Sequence, residues 1–156
     1  MNANLQQAID ALSLRDIYQR NSVSICTDGF EPKYSDPEKL TVQHMHQVRK
    51  SEMIFFEEEK LNVLRVFLSL GARWIETDHT QEPENSIMAR IESEFVSEYL
   101  VNGELSQEAI DEYCLKNASY HVWPFWREFL MSQCTRMQLP KFVLPTMQLA
   151  HNRHQE

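Results

Sequence analysis

Alternation of apolar and polar residues dominates the first two-thirds of the chain and predicts β-strands. The clearest run is 64–74, whose even-numbered positions are all apolar and whose odd-numbered positions include two arginines. Similar alternation covers 17–26, 40–48 and 87–99. A two-residue period is typical of a strand with one buried face and one wet face. The segment 52–60 is less regular, and we interpret it as a strand end followed by a turn.

In the last third of the chain the periodicity becomes helical. Ser106 is a suitable N-cap, and apolar side chains follow it at spacings of three and four residues. Pro124 predicts the first turn of a second helix, since proline is tolerated there, and Pro140 ends that helix. A short helix is expected after Pro145. Strands followed by helices predict a single α+β domain over 1–156, with a four-stranded antiparallel sheet and two main helices packed on one face.

Composition sets limits on the function. The chain has 156 residues, a formal net charge of −8 and only 3 glycines. An acidic chain lacks the positive surface that nucleic acids require, and so few glycines disfavour a phosphate-binding loop. No apolar run is long enough to cross a membrane, and we expect no signal peptide. Three cysteines without a C-x-x-C motif fit a reduced, cytoplasmic environment, where we expect them to be buried and inert.

Two histidines are the candidates for metal chemistry. His44 and His46 lie two positions apart, so on a strand they share a face. A zinc site needs three or four ligands, and no third ligand stands at a diagnostic spacing. We therefore interpret them as surface histidines, with a metal site as the alternative.

The acidic residues follow the predicted elements. Those at 57–59 are expected in a solvated turn, and those at 92, 94 and 98 on the wet side of a strand. The chain contains no G-x-S-x-G, G-x-x-x-x-G-K or H-E-x-x-H motif. We therefore expect no enzyme, no catalytic residues and no cofactor.

An aromatic cluster surrounds Pro124. Helical spacing places Trp126 and Phe129 together, and Phe125 and Phe129 together. These pairs span a wider arc of the helix than one small sheet easily covers. The rings are therefore either ordinary core or an apolar surface that serves an interface or groove, and the pattern alone leaves both open. The cluster consists of Tyr120, Trp123, Phe125, Trp126 and Phe129.

The same stretch carries a family resemblance. Residues 122–144 read V-W-P-F-W-R-E-F-L-M-S-Q-C-T-R-M-Q-L-P-K-F-V-L. An aromatic residue, proline and another aromatic residue precede Arg-Glu, a helix of about three turns, an arginine and a Pro-x-apolar-x-Leu exit. This pattern resembles the signature of SecB-type export chaperones. The segments 63–66 and 15–25 resemble the family's third and first strands.

The resemblance implies a four-stranded antiparallel sheet with two main helices, assembled as a homotetramer that is a dimer of dimers. It implies no enzymatic activity and no cofactor. Members of the family hold unfolded, export-bound polypeptides in long apolar grooves without ATP. The groove implied here is lined by Phe30, Tyr34, Leu40, Val42, Trp123, Trp126 and Phe129. The implied oligomer interface includes Ala89, Ile91 and Ser93.

Two departures from the family concern the partner. Acidic side chains on the outer sheet face dock the SecA motor in the family, and the matching positions here are Asn21 and Arg90. We also expect no long acidic tail of the kind that many members carry. The first hypothesis is a general holdase for unfolded polypeptides or preproteins in protein export. The second is a SecB-like chaperone dedicated to one partner, such as the antitoxin of a toxin–antitoxin system. The third is an unrelated enzyme or an oligomeric scaffold.

Overall fold

Long antiparallel strands and a long helical rod form the fold in the computed structural model, which describes residues 2–79, 86–140 and 144–145. The helices and strands are α1 (Ala3–Ala11), β1 (Leu12–Cys26), β2 (Leu40–Phe56), β3 (Leu61–Glu76), β4 (Ile87–Val101), α2 (Gln107–Tyr113) and α3 (Ser119–Met137). Short 3-10 turns lie at Pro32–Tyr34, Pro37–Lys39 and Thr77–His79. A π-helical turn, Cys114–Ala118, joins α2 to α3.

The four strands form one antiparallel sheet in the order β1-β4-β3-β2. This arrangement confirms the predicted α+β fold with a four-stranded antiparallel sheet and two main helices. β3 and β4 lie at the centre, and β1 and β2 form the margins. The turn at 57–60 between β2 and β3 confirms the interpretation of 52–60 as a strand end followed by a turn.

Both marginal strands carry β-bulges and are longer than predicted. An extra residue in one strand shifts the phase of the alternation, so a strict two-residue period detects only part of each strand. β1 therefore begins at Leu12, before the predicted limit, and β2 runs without a break through the gap between its two predicted parts. The shifts in register lie between Leu14 and Asp16, Gln19 and Asn21, and Val48 and Lys50.

The inner face of the sheet packs against α2 and α3. Its central side chains are almost completely buried, and they meet a stripe of α3 that recurs every four residues. Complete burial of one large apolar side chain contributes about 1.5–3 kcal/mol, so this layer is the main source of stability. The layer includes Leu64, Val66, Leu68, Leu70 and Trp74 of β3, Ile91, Phe95 and Tyr99 of β4, and Val122, Trp126, Leu130 and Cys134 of α3.

The outer face is mainly polar, but Phe67 and Val96 are buried near its centre. These two residues are neighbours across β3 and β4. Basic side chains cover Phe67, with the Lys50 ammonium 4.4 Å and the Arg65 and Arg20 guanidinium carbons 5.0 and 5.9 Å from its ring centroid. Cation–π attraction holds these side chains over the ring, and their aliphatic parts shield Phe67 from water as a packed helix would.

α3 begins earlier than the sequence predicts, and the placement of Pro124 in its first turn is wrong. Pro124 lies inside the helix, five residues after Ser119. Its ring removes the hydrogen bond to the Tyr120 carbonyl. Pro124 is exposed, so water can reach that carbonyl. The π-helical turn makes α2 and α3 one continuous rod, which capping signals do not reveal.

α1 is a helix that the sequence analysis does not predict. The Asn2 side chain caps it by accepting the Asn4 N–H at 2.7 Å. Ala8 and Ala11 are buried, and the helix packs against α2. Such small apolar residues give a weak periodic signal, which explains the omission. The short helix expected after Pro145 lies outside the described residues.

The three cysteines are free thiols. Burial raises the pKa of Cys114 and of Cys134 to about 11. The prediction that the cysteines are buried is therefore confirmed for these two, and their low reactivity stays a prediction. Cys26 is only half-buried because it lies at the end of a marginal strand, although burial also raises its pKa.

Candidate functional site

Aromatic side chains on two flanks of α3 form the first part of the candidate site. Trp123 and Phe129 lie three residues before and after the core residue Trp126, so they project about 60° to either side of it. Both are half-buried and pack against the core. The structure therefore places Trp123 and Phe129 on opposite flanks of the helix, whereas the sequence analysis assigns them to one groove.

The flank that carries Trp123 faces β2. His46 Nε2 lies 2.9 Å from the Ser119 hydroxyl oxygen, and the His46 and Trp123 rings meet edge-on with 6.3 Å between centroids. Burial lowers the pKa of His46, which keeps the ring neutral at pH 7. These contacts connect the marginal strand β2 to α3.

The inner face of β2 carries a row of apolar side chains beside this flank, interrupted by His44, His46 and Ser51. Val42 and Val48 are half-buried, whereas Met53 and Phe55 are exposed, Phe55 by 57%. At about 3.3 Å per residue, the row from Val42 to Phe55 is about 40 Å long. Sequence reasoning missed Met53 and Phe55 because the bulge in β2 changes the phase of alternation before them. Their two-residue spacing is the signal that could have found them.

The loop between β1 and β2 contributes at one end of the row. Phe30 and Leu40 are half-buried against the core and line a pocket of about 290 Å³ together with Met88 and six polar residues, among them Asp36 and Lys39. Tyr34 is 81% exposed on its 3-10 turn, and the Lys33 ammonium lies 5.6 Å from its ring centroid. The structure thus brings Phe30 and Leu40 to the apolar surface and leaves Tyr34 in solvent.

Trp126 and the residues implied for the oligomer interface are buried inside a single chain. Trp126 is 1% exposed. Ala89, Ile91 and Ser93 lie on the inner face of β4, where the Ser93 hydroxyl donates a hydrogen bond to the Asn21 carbonyl oxygen at 2.8 Å. In this conformation a bound peptide or a partner subunit would contact the neighbours of these four residues and not their buried side chains. Their roles in binding and assembly stay predictions.

A second apolar surface lies on the opposite flank of α3. Phe125 is 47% exposed and lies on the same flank as Phe129. The Tyr99 hydroxyl oxygen lies 2.9 Å from His121 Nδ1. Burial lowers the pKa of His121 and raises that of Tyr99, so the neutral imidazole nitrogen accepts a hydrogen bond from the phenol O–H. This hydrogen bond fixes α3 to β4, and in this position of the helix Phe125 is exposed to solvent.

The carboxylates of the outer face are paired with arginines. Arg65 lies 2.7 Å from a Glu52 carboxylate oxygen and 3.4 Å from one of Glu98. Arg49 lies 3.5 Å from Glu94. The acidic residues of β4 lie on the outer face, as predicted, but the Glu94 and Glu98 side chains are only 17% and 19% exposed. Their charge is, however, offset by basic neighbours.

Asn21 and Arg90 lie on this outer face. The Asn21 side-chain oxygen accepts the Glu94 N–H at 3.2 Å. Arg90 stands beside Arg73 of β3, and its guanidinium lies 3.7 Å from the Glu92 carboxylate. The outer face is therefore of mixed charge at the two positions where the family carries acidic docking residues.

Residues 2–79, 86–140 and 144–145 lack two features of metal-binding and membrane-spanning proteins. Within these ranges no group of three His, Cys, Asp or Glu side chains is arranged to hold a metal ion. The structure does bring His44 and His46 to one face of β2, as their spacing predicts. In the same part of the chain, no helix is long and apolar enough to span a membrane.

A four-stranded antiparallel sheet in this order, with helices on one face, is a SecB-like fold. A SecB-like chaperone from Mycobacterium tuberculosis, solved in complex with a ChAD peptide from the HigA1 antitoxin, matches with a TM-score of 0.74. The match covers 94% of this chain and 98% of that chain at 15% identity. No protein-family model and no curated protein matches the sequence. The sequence resemblance to SecB-type chaperones is thus confirmed as a likeness of fold.

Proposed function

We propose that this chain is a chaperone that binds unfolded polypeptides in the groove between α3 and β2, without ATP. The observation that carries the proposal is the apolar row of β2 beside Trp123, which the helices leave partly uncovered. Exposed Met53 and Phe55 extend this surface toward the end of the strand. The SecB-like fold supports the same function.

The mechanism is burial of apolar side chains that an unfolded polypeptide exposes. Each 100 Å² of apolar surface removed from water contributes about 2.5 kcal/mol. A groove about 40 Å long accepts roughly a dozen extended residues, so several weak contacts act on one client. Aromatic and methionine side chains tolerate many partner shapes, which suits broad specificity. We propose further that a homotetramer, a dimer of dimers, presents several such grooves and gains avidity for long clients.

A chaperone dedicated to one partner is the second candidate. It is favoured by the antitoxin peptide bound to the Mycobacterium tuberculosis structure and by the mixed charge of the outer face here. A face whose carboxylates already contact arginines offers few free carboxylates to a partner that docks on acidic side chains. Export through SecA therefore has less support than client holding in general.

An aggregation assay separates these candidates. The purified chain is mixed with chemically denatured cytosolic and secretory polypeptides and, separately, with an aggregation-prone antitoxin, and light scattering is recorded without nucleotide. Suppression for all clients supports the general holdase, and suppression for the antitoxin alone supports the dedicated chaperone. Aggregation at the unprotected rate for every client would refute both, and native mass spectrometry reports the assembly state of the same sample.

Paired variants test the location of the groove. Replacing Met53 and Phe55 together by alanine should weaken client binding about tenfold, because it removes two exposed apolar contacts worth roughly 1.4 kcal/mol in total. The matched control is Phe125→Ala, which removes a similarly exposed ring from the opposite flank. If the control loses as much affinity as the double variant, the groove is misplaced.

A further inference from the structure

The chain folds back along α3 after the helix ends. Gln138 adopts a left-handed conformation with φ of 59°, and the Leu139 N–H donates to the Cys134 carbonyl at 3.0 Å. The reversed chain then brings Leu144 and Pro145 beside the middle of the helix. We call these two residues the return segment.

Two side chains of α3 hold the return segment by its backbone. Arg127 Nε donates a hydrogen bond to the Leu144 carbonyl oxygen at 2.8 Å. The Trp123 indole N–H donates to the Pro145 carbonyl oxygen, also at 2.8 Å. The two donors stand one helical turn apart, and they take consecutive carbonyls of a chain that runs antiparallel to the helix. The Leu144 side chain is only 5% exposed and packs in the core.

This arrangement has the form of a bound peptide. Side-chain donors that bind backbone carbonyls do not discriminate between sequences, while a buried aliphatic side chain supplies the affinity. The proline keeps Leu144 extended, which prepares its carbonyl for the donor. Trp123 also contacts His46 of β2, so the return segment lies at the groove of the proposed function.

We propose that Trp123 and Arg127 form a backbone-binding site for an extended polypeptide with a large aliphatic side chain, and that the return segment occupies this site until a client replaces it. The inference rests on the proposed function and adds a binding mode and an internal competitor to it. The exchange preserves the number of hydrogen bonds, since the client carbonyls take over the same two donors. While the return segment occupies the site, no client can bind there. The apparent affinity for clients is therefore the intrinsic affinity multiplied by the fraction of molecules whose site is open.

Loosening the return segment should therefore strengthen client binding. A fluorescent peptide that copies residues 139–150, LPKFVLPTMQLA, serves as the probe. We expect Leu144→Ala to bind this peptide at least fivefold more tightly than the unaltered chain, because the internal competitor is weakened while both donors remain. Adding Trp123→Phe, which retains a ring but lacks the indole N–H, should abolish the gain.

A matched control separates competition from loss of stability. Leu12→Ala removes an equally buried leucine from β1, far from the groove, and should leave peptide affinity within twofold of the unaltered chain. Unchanged or weaker peptide binding by Leu144→Ala would overturn the inference, and so would an equal gain in Leu12→Ala. Capture of denatured clients by the unaltered chain is measured in parallel, and its complete absence refutes the proposed function itself.

A spectroscopic readout keeps the inference testable if Leu144→Ala fails to fold. The chain has 3 tryptophans, so a spectrum of the chain with nitrogen-15 in its tryptophans contains three indole N–H signals. The signal missing from Trp123→Phe identifies Trp123. Client peptide should shift this signal in the unaltered chain, because its acceptor changes from Pro145 to the client. A Trp123 signal that stays in place at saturating peptide overturns the proposal.

Discussion

Replacing Trp126 by alanine tests whether this ring is core or groove. The side chain is 1% exposed, packs in the central cluster and lies with its ring centroid 6.2 Å from that of Phe129. Removing a buried tryptophan costs about 3–5 kcal/mol, because the transfer free energy and a cavity term add. Whole domains are stable by about 5–15 kcal/mol, so this is a large share. For a chain of this size, we expect the melting temperature to fall by about 6–20 °C.

The free energy of unfolding is measured by urea titration with far-ultraviolet circular dichroism, since the substitution removes a fluorescent reporter. Phe125→Ala is the control on the same helix, and because its ring is half exposed it should change stability by less than about 1 kcal/mol. The reasoning fails if Trp126→Ala costs less than about 1 kcal/mol while client capture is lost. Such a result would mean that the indole binds clients and contributes little to the core.

Three further predictions concern charge and thiol chemistry. Arg65→Met should cost about 1–3 kcal/mol in urea titrations, because it leaves the part-buried Glu98 carboxylate without its cation; an unchanged midpoint would contradict this. Burial lowers the pKa of His121, so the unfolded chain takes up its proton first on acidification. Its contribution to stability is therefore complete above about pH 6.5 and is lost as the pH falls below that value. His121→Gln should flatten this dependence by at most about 1.4 kcal/mol per pH unit, and an unaltered slope between pH 5 and 7 would refute the assignment. Burial raises the pKa of Cys114 and Cys134 to about 11, so a thiol reagent at pH 8 should modify Cys26 first and the other two only after unfolding; three equal rates would contradict the structure.

The fold could be predicted because its signals are local. Alternation at 64–74 defines the central strand, and the motif around Pro124 resembles SecB-type chaperones strongly enough to specify the sheet and its helices. The parts of the fold that local sequence patterns did not predict were missed for identifiable physical reasons. Bulges hide the start of β1 and the middle of β2, and the alanine-rich face of α1 is too weakly apolar to stand out.

The candidate site was predicted only in part because it depends on which flank of a helix meets which strand. Sequence spacing groups Trp126 with Phe129, whereas packing buries Trp126 and separates Phe129 from Trp123. The contact between His46 and Ser119 joins residues 73 positions apart, and no local pattern reports it. The hydrogen bonds of the return segment likewise depend on a chain reversal after α3.

The bulges of the marginal strands have a consequence for how the sheet would meet an unfolded polypeptide under the proposed function. An unfolded chain that pairs with an exposed edge turns that edge into a template, and regular pairing can then propagate from molecule to molecule as fibrils. In β1 the last stretch that pairs with β4 without a register shift runs only from Asn21 to Cys26. Such a short, kinked edge gives a growing stack little length to copy, so β1 is a poor template for fibril growth.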